Sequence, residues 1–71
     1  MAKEVDARGL SCPQPVILTT KALQQGEFPI TVIVETGTSR DNVSRVAQKA
    51  GCKVVVEERE GEFVLTIERG S

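Results

Sequence analysis

The chain has 71 residues, 39% hydrophobic and 27% charged, with a net charge of −1, two Cys and no His, Trp or Tyr. That length allows one domain, residues 1–71, whose small core buries only about 60% of the surface of the unfolded chain. Without His there is no Ser-His-Asp triad, no Cys-His dyad and no imidazole base, and two thiols are too few for structural zinc, haem or an iron–sulfur cluster.

Lys3–Asp6 is a short candidate strand, stopped by Gly9. Pro13–Gln25 reads as a helix on which Val16, Ile17 and Leu23 share a face, with Thr20 between them and Gln14, Lys21 and Gln24 off it. Gly26 supplies the stop. Pro29–Glu35 is β-branched almost throughout, which predicts a central strand with at least one face covered. After Gly37, Thr38 is the expected N-cap of a second helix, with Asp41 as the capping-box acid. Val43, Val46, Ala47 and Ala50 form its apolar stripe, and Gly51 its C′ residue. Cys52–Glu57 and Phe63–Glu68 are two further strands around a glycine-containing turn at Arg59–Glu62. Phe63, Leu65 and Ile67 alternate toward a core; Lys53, Glu57, Thr66 and Glu68 make the other face polar, though Val55 and Val64 share it.

The order β-α-β-α-β-β, with right-handed crossovers, predicts an α/β two-layer sandwich. Its mixed four-stranded sheet carries both helices on one face and ends in an antiparallel hairpin. The order of strands across the sheet does not follow from the sequence.

No stretch approaches the roughly 18–20 apolar residues of a membrane span and no signal peptide opens the chain, so a cytoplasmic protein without a membrane partner is expected. Residues 1–53 carry a charge of +2 and residues 54–71 a charge of −3. This is far from the basic excess of a nucleic-acid binder.

The chemistry concentrates in Arg8-Gly9-Leu10-Ser11-Cys12-Pro13-Gln14-Pro15. Pro13 and Pro15 suit a first helical turn, where their missing N–H groups cost nothing. Cys12 then falls at the N-cap, where the helix dipole favours thiolate over thiol. The N–H of Gln14 is a donor for whatever the sulfur carries, and Arg8 adds positive charge if the loop folds back. A small hydrophobe under a loop is the other reading of Cys12, but Cys is an unusual N-cap. Cys52 opens a strand after a helix-ending glycine, which favours core packing over a resolving thiol.

Asp6-Ala7-Arg8-Gly9-Leu10-Ser11-Cys12-Pro13-Gln14-Pro15 resembles the signature of the TusA/SirA family of small sulfur carriers, a Cys-Pro-x-Pro motif preceded by Asp-x-x-Gly. The resemblance runs over essentially the whole chain. Asp41-Asn42-Val43, Ala50-Gly51-Cys52 and the acidic hairpin look most like the N-terminal domain of YedF-type proteins, linked by genome context to selenium metabolism. The resemblance implies a sulfurtransferase-type carrier, not a stand-alone enzyme, in which Cys12 accepts sulfane sulfur from a cysteine desulfurase or rhodanese-like donor. The sulfur is held as a persulfide and relayed to an acceptor protein. No metal or cofactor is implied; Asp6 and Gly9 are implied to shape the loop, and Cys12 to be exposed. A YedF-type protein would continue into a second domain after Gly70-Ser71, making this chain its carrier half.

Two other classes stay open at this stage. One is a regulatory or adaptor module that keeps the fold without the transfer. The other is an RNA-contacting domain, by fold-level analogy to the C-terminal domain of a translation initiation factor. Its sole support is Arg40, Arg45 and Lys49 along one helix, for which a solvated face is the simpler account.

Overall fold

A computed structural model of the chain describes residues 3–9, 14–26 and 28–70. The elements are β1 (Lys3–Asp6), α1 (Gln14–Gln25), β2 (Ile30–Val34), α2 (Gly37–Lys49), β3 (Cys52–Arg59) and β4 (Glu62–Arg69), in the expected order. The four strands form one sheet in the order β1-β2-β4-β3. Its β1–β2 pair is parallel, and β4 runs antiparallel to both β2 and β3. The two helices pack side by side over one face, which gives the two-layer sandwich.

The β-branched run that predicts a central strand does occupy the middle of the sheet. Ile30, Val32 and Val34 of β2 are 0% exposed, as are their β4 neighbours Ile67 and Leu65. Val43 and Ala47 of α2, with Pro15, Thr19 and Ala22 of α1, close over them. A core with no large aromatic side chain at its centre depends on each aliphatic one. Truncating a buried Leu such as Leu65 to Ala costs about 2–5 kcal/mol.

Two expectations are corrected. In α1 the buried face is Pro15, Thr19 and Ala22, and Ile17 is 42% exposed instead of facing the core. Thr19 is a core residue because its hydroxyl donates to the Pro15 carbonyl at 2.8 Å, so burial leaves no polar atom unpaired. Apolar periodicity passes over such a residue. In α2 the N-cap is Thr36, not Thr38: its backbone is extended and its hydroxyl accepts the Ser39 N–H at 3.0 Å. Gly37 is therefore the first residue of the helix. Val43 and Ala47 are buried as expected, whereas Ala50 is the exposed C-cap, followed by Gly51 at φ +81.

The hairpin closes on Glu60 (φ +51) and Gly61 (φ +81), the two positive values that suit a two-residue turn between right-twisted strands. On the face away from the helices, register aligns Asp6, Ile33, Val64 and Glu57 in one row and Glu4, Thr31, Thr66 and Val55 in the next. In the first row charged side chains thus flank the half-buried Ile33 and Val64, and in the second the exposed Val55 stands at the β3 edge.

The capping correction has a direct check. Thr36→Ala lowers stability by about 1 kcal/mol, while Thr38→Ala changes it by less than about 0.5 kcal/mol; urea unfolding of the two variants distinguishes the caps.

Candidate functional site

Parallel strands finish at the same end of a sheet, so the chain leaving β1 emerges beside the C-terminal end of β2. The Ala7 N–H extends the ladder to the Ile33 carbonyl at 2.9 Å, and Ala7 is only 2% exposed. The sequence-predicted residues Asp6, which ends β1, and Arg8 and Gly9, which follow Ala7, come together there.

Asp6 folds the chain onto itself. Its Oδ1 accepts the Arg8 backbone N–H at 3.1 Å and the Arg8 Nε–H at 2.9 Å, and its Oδ2 accepts from Nη2 at 2.8 Å. The third guanidinium nitrogen, Nη1, reaches Glu62 Oε2 on β4 at 3.4 Å. The hydrogen bonds from the Arg8 side chain and backbone pull the Asp6 carboxyl down from 3.8 to about 2. Those from Asp6, followed by its charge and by Glu62, push the Arg8 guanidinium up. Both side chains stay about half exposed, at 45% for Arg8 and 51% for Asp6. Their pairing is therefore chiefly a geometric constraint on residues 6–8 and a small contributor to stability. Arg8, flanked by two carboxylates, is not a free cation available to a thiolate.

Gly9 is held from the other side. Its φ of +77 is a backbone conformation that side chains disfavour, and its N–H donates to the carboxylate of Glu35, the residue that follows β2. A Cβ at Gly9 would meet nothing within 4 Å, so backbone handedness, not crowding, calls for glycine.

Cys12 and Pro13, the proposed working thiol and the first proline of its motif, lie outside the described residues. The description resumes with α1, where Gln14 is exposed and Pro15 is buried in the first turn. The motif's second proline is thus a packing residue as well as a helix starter.

Glu35 and Glu62, which anchor the loop, were not identified from the sequence. Each lies far along the chain from its partner, and only the strand order brings them there. Cys52 is a partly buried free thiol packed against the core cluster, in keeping with a packing role. Arg40 stacks over the Phe63 ring at 4.7 Å and pairs with Asp41 at 3.0 Å. That engagement removes it from the basic helix face considered for RNA.

Among the described residues no three His, Cys, Asp or Glu side chains gather as a metal site, and no helix is long and apolar enough to cross a membrane. A groove of about 300 Å³ between β1 and α1 is lined by Val5, Leu18 and Ala22 and by the charged Lys3, Glu4 and Lys21. It lies at the lower limit of small-molecule pockets.

Comparison with known proteins gives a consistent result. Residues 3–69 match the family model described as Sulfurtransferase TusA. A Methanocaldococcus jannaschii protein designated a candidate sulfur carrier is 35% identical over 71 residues, covering 94% of this chain and 93% of its own length. An Aquifex aeolicus protein of the same designation is 28% identical over 72 residues. That alignment covers 97% of this chain but 36% of the relative, so the chain spans about a third of it. The crystal structure of a SirA-like protein from Desulfitobacterium hafniense aligns over 100% of both chains, with a TM-score of 0.87 and 33% identity.

Acid titration tests the loop geometry. With its carboxyl lowered from 3.8 to about 2, Asp6 stabilises the fold fully above about pH 4, and that contribution disappears as pH falls through about 2. Carboxyl NMR titration should place the Asp6 midpoint near 2, and Arg8→Ala should return it toward 3.8.

Proposed function

The chain belongs to the sulfurtransferase TusA family, and on that premise we propose that it carries sulfane sulfur as a persulfide on Cys12 and passes it to an acceptor protein. The observation that carries the reading is the family match over residues 3–69, which spans the Cys12-Pro13-Gln14-Pro15 run. The sulfur-carrier designations of the relatives agree with it.

The exchange needs no oxidant and no histidine. The Cys12 thiolate attacks the outer sulfur of a donor persulfide, the donor's S–S bond breaks, and its thiolate leaves with the electron pair. Cys12 then holds a persulfide, which is more acidic than a thiol and is anionic at neutral pH. A thiolate on the acceptor repeats the displacement and restores Cys12. The start of α1 favours such an anion, since first-turn N–H groups and the helix dipole are positive there. Pro15 contributes no N–H, which leaves those of Gln14 and Val16. Asp6, Arg8 and Gly9 act by fixing the chain that leads to the cysteine, and Pro15 by starting the helix.

The donor class is a cysteine desulfurase or a rhodanese-like protein. The resemblance to YedF-type proteins extends the reading to selenium as an alternative cargo and to this chain as one domain of a longer protein. A free working thiol fits the reducing cytoplasm.

Intact-mass spectrometry after incubation with a desulfurase, its cofactor and cysteine tests the proposal. The expected result is the addition of one sulfur mass, removed by a thiol reductant and absent in Cys12→Ser. No addition, or equal addition in Cys12→Ser, contradicts it and leaves an adaptor that keeps the fold alone.

A further inference from the structure

We infer that the free edge of β3 pairs with β3 of a second copy of this chain, joining two four-stranded sheets into one across a two-fold axis. β3 is eight residues long and hydrogen-bonds to β4 on one side only. Among the described residues its other side is a row of backbone donors and acceptors with no strand beside it. At its centre lies Val54-Val55-Val56, with Val55 48% and Val56 44% exposed. With Ile17, these are the exposed large hydrophobic residues among those described. Val56 is paired with Leu65, so it points to the helix side, yet the helical layer leaves it open. Val55 lies on the opposite face. A partner strand at the edge is the arrangement that would shelter both.

The charges along the strand select the occupant. An antiparallel pair with its axis through Val55 sets Val55 against Val55, Val54 against Val56, and Lys53 against Glu57, the last two contacts each occurring twice. Residues opposite one another then share a face, and both copies keep their helices on the same side. Moving the axis to Val56 opposes Lys53 to Arg59, and moving it to Glu57 opposes two copies of Glu57. Moving it to Val54 leaves Lys53 against Val55. Only the register centred on Val55 matches valine with valine and cation with anion. Edge charges that would deter an unrelated strand are here complementary to the strand's own copy.

The pairing closes on itself and stops at two copies. A strand of eight residues is roughly 27 Å long, and its edge buries less than the roughly 1,200 Å² of a stable complex. The dimer is therefore weak and concentration-dependent. It occupies the sheet edge opposite β1, from which the chain runs toward Cys12, so the inference is independent of the carrier reading.

Sedimentation equilibrium from about 10 μM to about 1 mM, a range suited to so small an interface, tests the dimer with Lys53→Glu and Glu57→Lys. Wild type shifts from monomer to dimer as concentration rises. Each single variant sets like charges together twice and weakens self-association roughly tenfold. An equimolar mixture of the two regains wild-type association, because both carboxylates of the first variant's strand then face ammonium groups on the second. Wild type monomeric at about 1 mM, single variants that associate as wild type does, or a mixture that stays monomeric would each overturn the inference.

Discussion

The parallel pairing of β1 with β2, sealed by Ile30, Val32 and Val34 beneath the helices, is the constraint from which the rest of the structure follows. Two parallel neighbours cannot be joined by a tight turn, so the chain must cross over, and α1 is that crossover. The connection from β1 to α1 consequently starts where β2 also ends. Glu35 is thereby beside Gly9, and the ladder continues one residue past β1 through Ala7 and Ile33. Because β4 is the other neighbour of β2, its first residue, Glu62, comes within reach of Arg8. Burial in the sheet and the shape of the loop have a single origin.

The electrostatics of this corner suit a carrier better than an acid–base enzyme. Arg8 lies between Asp6 and Glu62, and the carboxylate after β2 is occupied by the Gly9 N–H. Those groups hold shape. On the proposed reading, the positive influence left for a sulfur anion comes from the start of α1, supplied by backbone dipoles that need no titratable partner. The absence of His then ceases to be a deficit, since thiol exchange runs on a thiolate and an accessible sulfur.

The element order was legible because each element carries its own local signal: β-branched residues in β2, alternation in β4, a glycine after each helix. Strand order was not, since it depends on pairings between residues far apart in the chain, and so Glu35 and Glu62 could not be assigned to the site. The errors within elements are equally physical. Thr19 is buried because it bonds to its own helix, a device that periodicity counts as polar, and its burial turns Ile17 outward. Thr36 and Thr38 are both competent caps in sequence; the extended backbone at Thr36 decides between them. Asp6 and Gly9 were expected to shape the loop only through the family resemblance; the structure supplies the physical reason, one a side-chain acceptor for the chain and the other at positive φ. Cys12 itself was singled out by motif and capping logic, and its role rests on the family and on chemistry.

That role turns on the state of one sulfur atom. The most direct measurement is the pH dependence of iodoacetamide alkylation of Cys12, made in Cys52→Ala so that a single thiol reports. The account predicts a midpoint at least about one unit below the ordinary cysteine value of about 8.5, with rapid alkylation at neutral pH. A midpoint at or above about 8.5, or a Cys12 that resists the reagent, would contradict it.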